Sequence, residues 1–502
     1  MTDKTTIEHP TLGAITGLRT GGVASFRGIR YGTLSSRFAA SEINNTAPPD
    51  GDATTYGPEP LQNPAACGIE WFLIGARCAP EPGFQQKWSG TECLNLNITA
   101  PVTLPAEKLP VLVFIHGGAN MHGAASWPQY NPSPLVATSV ASSTPIIVVS
   151  INYRTNVFGF LHIPGQATNR GLNDQLTALA WIRANIGGFG GDPENITLIG
   201  QSAGSAAVGF HIAAGVSGVK RAIMMSGDPG LMAALPEDVH AATYKSVCEA
   251  LSIPFNDLVE SLESAPQKAF YEMLPADIMY RPISPLPSGS GDKIAALMVG
   301  DTAHDGGILV PLSLGPAREG LAETLCEYFS ILPESFSQLY RLQPTLSPLE
   351  ARSRLLDILT DWAFSVSAVA AAKDGDVPTY LYHFNQENPW PASQFNPWAG
   401  QANHILDLAY LMGNYPQLEE GKVGEEMRKA VVTFVTGGEP WEKYAENKQV
   451  AVFEDKDGKG KSVTASGEKD GRERAAGWWR VVEEAGGLNK VRGVVMGVLG
   501  KL

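Results

Sequence analysis

Residues Ile196–Ser205 read Ile-Thr-Leu-Ile-Gly-Gln-Ser-Ala-Gly-Ser: a short apolar, β-branched run, then Gly-x-Ser-x-Gly, then small residues continuing to Phe210. The run predicts a buried strand and the small residues predict a helix, so Ser202 falls on a sharp turn between them. Such a turn forces strained backbone at the serine and lifts its hydroxyl clear of the sheet. Gly200 and Gly204 leave room for the turn and for close packing of the helix. The first N–H groups of that helix have no intrahelical acceptor and point where an oxyanion would form.

Outward from this turn, the chain alternates between strand and helix. Gly13–Leu18 and Val23–Tyr31 predict an N-terminal antiparallel hairpin. Leu94–Ile98, Val111–His116, Pro145–Asn152, Ile196–Ile199, Ala222–Met225, Leu297–Gly300 and Tyr380–Phe384 suit strands buried on both faces. Between two of them, Leu172–Ile186 carries apolar residues at helical spacing. The expected class is α/β, with a large, mostly parallel central sheet covered on both faces. The chain reads as a single domain, 1–502, with helical insertions at about 228–296 and 309–373. Residues 454–474 read as a charged, Gly-rich solvated loop, and 475–499 as a terminal helix broken at Gly486–Gly487.

Bulk properties narrow the function. The chain has 502 residues, 44% hydrophobic and 18% charged, which leaves ample core. A net charge of −14 with no basic stripe argues against nucleic acid as a partner. No stretch approaches the ~20 apolar residues of a membrane span. The first ten residues lack an apolar segment of signal type, so a cytoplasmic location is expected. Five cysteines form no disulfide framework and no metal-ligand spacing. No metal or organic cofactor is expected, and the sequons at Asn44, Asn97 and Asn195 read as incidental.

A serine hydroxyl needs a base to take its proton as it attacks. In this topology the acid comes next in the chain and the histidine last. Of nine histidines, only His383 and His404 follow late enough. His383 lies within a strand, where the pleat fixes and packs it. His404 lies in the loop Trp398–Asp407, at the kind of strand-end loop that presents catalytic groups, and is the expected base. The acid belongs to the loop Asp301-Thr-Ala-His-Asp-Gly-Gly; residue chemistry alone leaves Asp301 and Asp305 both open. Gly117-Gly118-Ala119, at the end of a strand, supplies backbone amides that join that of Ala203 as oxyanion donors.

Together these motifs resemble the type B carboxylesterases of the α/β-hydrolase fold, the family that includes cholinesterases, with a flavour of intracellular esterases of filamentous fungi. The resemblance runs through Phe26-Arg-Gly-Ile-Arg-Tyr31, Glu92-Cys-Leu-Asn-Leu-Asn97, His116-Gly-Gly-Ala119, Asn152-Tyr-Arg154 and Asn169–Gln175. It continues through Phe189-Gly-Gly-Asp-Pro193, Gly200-Gln-Ser-Ala-Gly204 and Met225-Ser-Gly227. It implies a serine carboxylester hydrolase with Ser202 as nucleophile, His404 as base and Asp305 as acid. The family acid is usually glutamate, so the aspartate is a departure. Gly118, Ala119 and Ala203 match the oxyanion donors, and Gln201, Ser226 and Asp407 match positions around the histidine. Cys67 and Cys93 match a family disulfide; here reduced thiols are expected.

Two further departures bear on substrate. Gln201 stands where cholinesterases carry glutamate, and Ile405 follows His404 where glycine is frequent, which is expected to narrow the pocket. His122 is a candidate pocket residue. The expected partner is a small-molecule ester, neutral or apolar, such as a natural-product ester or lactone. An acyltransferase or lactone-forming enzyme using the same acyl-serine, and a non-catalytic recognition protein on the same scaffold, are the alternatives.

Overall fold

Alternating residues near the N-terminus build antiparallel pairs: β1 (Thr2–His9), β2 (Gly13–Thr20) and β3 (Val23–Arg30). The hairpin of β2 and β3 matches the sequence expectation. β1 was not expected, because Thr-Asp-Lys-Thr-Thr offers no apolar alternation, yet it pairs with β2 from Thr2↔Thr20 to His9↔Gly13. A separate two-stranded ribbon joins β4 (Gly32–Thr33) to β5 (Glu42–Ile43). The remaining strands are β6 (Asn95–Pro101), β7 (Leu109–Ile115), β8 (Ile147–Ile151), β9 (Gly191–Gln201), β10 (Val219–Met225), β11 (Ala296–Thr302), β12 (Thr379–Phe384), β13 (Gln449–Phe453) and β14 (Ser462–Ala465). The computed structural model describes residues 2–81, 84–254, 257–266, 269–272, 274, 278, 280–284, 293–309, 317–373, 377–456, 458–465 and 472–499.

The main sheet has twelve strands in the order β1-β2-β3-β6-β8-β7-β9-β10-β11-β12-β13-β14. From β8 to β13 every neighbouring pair is parallel. Its interior strands read as continuous apolar runs because both faces are covered. β7 shows this directly. Val111, Val113 and Ile115 join one apolar cluster, while Leu112 and Phe114 join another on the opposite face.

β13 and β14 correct the reading of residues 454–474 as a loop. Ser462–Ala465 pairs antiparallel with β13, from Gln449↔Ala465 to Val452↔Ser462. Residues 457 and 466–471 of that stretch lie outside the described residues. The first insertion contributes Glu237–Leu251, Leu258–Ser264 and Ala269–Glu272; the second contributes Leu321–Phe329, Glu334–Tyr340, Pro348–Thr360 and Val366–Lys373. Parts of both insertions, 255–256, 267–268, 273, 275–277, 279, 285–292 and 310–316, lie outside the described residues.

The terminal segment forms two helices, Glu473–Ala485 and Leu488–Leu499, broken at Gly486–Gly487. They share a third apolar cluster with the second insertion, where Trp478, Val491 and Val495 are fully buried. The continuous helical run Pro348–Lys373 is long and apolar enough to cross a bilayer, against the expectation that no stretch would be. Its apolar window is 78% buried inside the protein.

Register decides where the chemistry can gather. Met225 lies beside Gln201 on one side and Gly300 on the other, and Gly300 lies beside Tyr382. The carboxyl ends of β9, β10, β11 and β12 therefore finish level, and the loops leaving them share one edge of the sheet.

Candidate active site

Ser202 leaves β9 with φ 56° and ψ −123°, and the helix Ala203–Ala214 starts at the next residue. A non-glycine residue in that region is strained, and the surrounding structure must hold it. The Ser202 N–H donates to Met225 O at 2.9 Å, which ties the turn to the end of β10. A side chain at Gly200 would collide with the Gly204 carbonyl, and one at Gly204 with the Ile115 carbonyl, so both glycines are required by close approach.

The loop after β7 approaches the same turn. Gly118, Ala119 and Asn120 all have positive φ (91°, 54° and 58°), which turns successive peptide units. Among the described residues, the amides of Gly118 and Ala119 donate to no protein acceptor. Asn120 locks the loop by donating from Nδ2 to Tyr280 O at 2.9 Å, while its carbonyl accepts from the Asn156 amide at 2.6 Å. His122 stacks on Trp127 with ring centroids 6.2 Å apart, and burial pushes its imidazole down to about 4.

His404 is buried and meets Asp305, with Nδ1 and Oδ1 2.6 Å apart. A carboxylate only accepts, so Nδ1 carries the proton and Nε2 presents its lone pair. That lone pair faces the Gln201 side chain, whose Nε2 lies 3.0 Å away and must be the donor. Among the described residues no hydrogen bond joins Ser202 Oγ to His404. The other Asp305 oxygen accepts the Thr302 N–H at 2.8 Å, and Gly306 N donates to Thr360 Oγ1 at 2.9 Å, which fixes the turn carrying the acid. Phe364 packs against the imidazole, with ring centroids 5.2 Å apart. Asn403, next to His404, donates to Leu73 O at 2.7 Å and anchors the loop on the helix Ala66–Ile74.

Asp301 goes elsewhere. It is still within β11, directly opposite His383 of β12, so the two side chains meet across the strands. Their Oδ1 and Nδ1 are 2.7 Å apart. Arg472 adds Nε at 3.1 Å from both carboxylate oxygens and Nη2 at 2.9 Å from Oδ1. All three side chains are buried. Burial opposes the Asp301 charge, but Arg472 and His383 outweigh it and hold the carboxyl well below its usual range. Arg472 had been read as part of a solvated loop, and no linear pattern links it to an acid 171 residues earlier.

The other expected neighbours of His404 take partners of their own. Asp407 is fully buried, accepts from Tyr382 Oη at 2.9 Å and from Leu408 N at 2.8 Å, and is pushed up to about 7 by burial and then by the Asp305 charge. Ser226 has φ 47° and donates its N–H to Gly300 O at 2.9 Å, but its buried hydroxyl has no partner among the described residues. Ile405 takes φ 72° and ψ −7°, an outlier for a β-branched residue, and its side chain packs into the apolar cluster with Leu406 and Leu408. Cys67 and Cys93 are both free thiols and belong to different apolar clusters. Among the described residues no group of three His, Cys, Asp or Glu side chains is placed to hold a metal ion.

The sequence did not point to Glu70. This buried acid accepts from Tyr130 Oη at 2.5 Å and Gln129 Nε2 at 3.0 Å. Burial pushes it up to about 7, opposed in part by those bonds and by His404.

A strained serine on a strand-to-helix turn, an Asp–His pair and a free pair of loop amides at one sheet edge define an α/β-hydrolase of the serine-hydrolase class. The match to the carboxylesterase family model spans residues 3–474, and the chain belongs to that family: it is a serine ester hydrolase. It is 28% identical over 469 residues to the para-nitrobenzyl esterase of Bacillus subtilis, covering 85% of this chain and 89% of that one. An inactive carboxylesterase-like protein of Byssochlamys spectabilis is 27% identical over 414 residues, covering 70% of each chain. A thermophilic PNB esterase of known structure superposes with a TM-score of 0.73 at 26% identity, covering 94% of this chain and 99% of that one.

Proposed function

We propose that this protein hydrolyses esters through an acyl-serine intermediate, with Ser202 as nucleophile, His404 as base and Asp305 as acid. The observation that carries the reading is the 2.6 Å contact between His404 Nδ1 and Asp305 Oδ1, which fixes the tautomer that leaves Nε2 able to accept a proton. Ser202 Oγ attacks the ester carbonyl as its proton passes to Nε2. The amides of Gly118, Ala119 and Ala203 take the oxyanion charge. His404 returns the proton to the departing alcohol, then draws one from water as its oxygen attacks the acyl carbonyl, and passes that proton to Ser202 Oγ as the acid leaves. In the resting enzyme the Gln201 amide holds Nε2, so the imidazole must exchange that donor for the Ser202 hydroxyl as substrate binds.

The alcohol half is not a quaternary ammonium. Recognition of such a cation needs aromatic faces and benefits from a nearby anion. Gln201 is neutral, and residues 117–123 contain no Phe, Tyr or Trp.

Ser202→Ala tests the mechanism: fluorophosphonate labelling and hydrolysis of p-nitrophenyl butyrate should both vanish. A Ser202→Ala protein that keeps the wild-type rate would end this reading.

A further inference from the structure

The helical run Pro348–Lys373 is interrupted at Asp361–Ser365 by a π-turn, whose hydrogen bonds skip one residue more than those of an α-helix. Such turns are rare, and they recur at functional sites. This one meets both halves of the catalytic pair. Just before it, Thr360 Oγ1 accepts the Gly306 N–H at 2.9 Å. A Cβ on Gly306 would lie 2.6 Å from the Thr360 amide nitrogen, so the acid turn sits on the helix with no room between them. Within the π-turn, the Phe364 ring packs against the His404 imidazole, with centroids 5.2 Å apart and planes tilted by 52°.

The π-turn has an anchor of its own. Buried Asp361 accepts from Tyr340 Oη at 2.8 Å and from Arg474 Nε at 2.9 Å, both through Oδ2. Arg474 also places Nη2 3.1 Å from Asp357 Oδ1, one helical turn earlier, so a single guanidinium spans the junction between α-helix and π-turn. Trp478, on the same helix as Arg474, donates from Nε1 to Tyr340 Oη. The helix Glu473–Ala485 thus grips the first residue of the π-turn directly and through Tyr340. Among the described residues, Arg474 has no hydrogen bond or ion pair with Ser202, Asp305 or His404.

Hydrogen bonds alone do not fix the imidazole during turnover. Its outer side-chain torsion is of the broad sp³–sp² kind, and Nε2 must release the Gln201 amide before it can take the Ser202 proton. At that moment the contact with Asp305 is the hydrogen bond left on the ring, and the ring can turn about it. A bulky neighbour limits that turn, and a misplacement of about 1 Å costs on the order of 10²-fold in rate. We propose that the π-turn Asp361–Ser365 is a third support of the catalytic base: Phe364 is a positioning residue that limits rotation of His404, and Arg474 acts through Asp361 to hold Phe364 in place. The proposal rests on the acyl-serine reading, in which His404 moves protons in both acylation and deacylation.

Kinetics on p-nitrophenyl butyrate, with active sites counted by a fluorophosphonate, test it. Phe364→Leu, which keeps an apolar side chain without the ring, should lower kcat per titrated site by about tenfold or more, with KM changed less than about threefold. Arg474→Met should lower kcat by about three- to tenfold at unchanged KM, and Arg474→Lys, which keeps a charge for Asp361, should recover most of it. Arg480→Met, exposed on the same helix, should change neither constant. Arg474→Met added to Phe364→Leu should cost nothing more, because both act through one ring. The Arg474 series carries the same test should Phe364→Leu fail to fold. An unchanged kcat per site would show that the turn only stabilises the fold, and a loss carried by KM would show that Phe364 lines the substrate pocket instead. Losses that multiply in the double variant would show that the two residues act separately. Each of these outcomes overturns the proposal. If the wild type takes no phosphonate, the acyl-serine reading fails instead.

Discussion

Two histidine–aspartate pairs lie close together at the carboxyl edge of the sheet, and they have opposite fates. His383 and Asp301 are 2.7 Å apart, and His404 and Asp305 are 2.6 Å apart. Distance and burial do not separate them; the third partner does. Arg472 fills both oxygens of Asp301, so that carboxylate is neutralised in place and the pair is a buried ionic joint. Among the described residues Asp305 receives only a neutral backbone N–H besides the imidazole, and its charge remains available to His404. An aspartate beside a histidine is therefore a weak indicator of catalysis until the rest of its coordination is known.

The sharpest way to break this contrast is to neutralise each acid in turn. Asp305→Asn should lower kcat by about 10⁴-fold, because the imidazole loses its tautomer and its counter-charge. Asp301→Asn should change kcat per phosphonate-titrated site by less than about tenfold. Equal losses in the two variants would erase the distinction.

Stability should show the reverse order. Asp301→Asn leaves Arg472 buried without its carboxylate, a loss of about 3–5 kcal/mol in urea unfolding, and Asp305→Asn should cost less. Because the folded Asp301 carboxyl is held below its unfolded value near ~4, its contribution is complete above that pH and is lost as pH falls further. The Asp301→Asn protein should lack that component of its acid sensitivity.

Glu70 extends the comparison to a buried acid with no cation in its hydrogen-bond shell among the described residues. Its folded value near 7 lies above the unfolded one, so the wild type should lose stability as pH rises from about 4 to 7. Glu70→Gln should flatten that dependence, by roughly 2–3 kcal/mol between pH 5 and pH 8. Unchanged urea midpoints would show that the Tyr130 and Gln129 bonds already sustain the charge.

The smallest effect belongs to Gln201. Removing its amide in Gln201→Ala frees Nε2 for Ser202, and one net hydrogen bond is worth about 0.5–1.5 kcal/mol. Fluorophosphonate labelling should then be about three- to tenfold faster. Slower labelling would mean that the amide aligns the base instead of competing for it.

Much of this was legible along the chain. The turn at Ser202, the helix behind it and the central strands are local patterns, and the resemblance carried Asp305 and His404 to positions the fold brings together. The joint around Asp301 was not legible, because cross-strand register and a distant arginine create it. β14 and Arg472 hid in a charged, Gly-rich stretch whose composition is that of a loop. The Gln201–His404 contact depends on a side-chain rotation that no spacing encodes. The hold of Arg474 on the π-turn depends on how the terminal helices fold back over the second insertion.

The separation between Asp301 and Arg472 also has a consequence for how the protein is made. Synthesis runs at roughly 5–20 residues per second, so the 171 residues between them take on the order of ten to thirty seconds. Once β12 has followed, 82 residues after Asp301, β11 and β12 can pair, but Asp301 then faces His383 with no arginine to balance it until Arg472 is made. The nascent sheet thus carries an unsealed charge at the edge where the acid loop must form, and the seal arrives only with the last tenth of the chain. A ribosome-bound intermediate stalled before Arg472 would have Ser202, Asp305 and His404 in hand while the Asp301 charge still lacked its arginine.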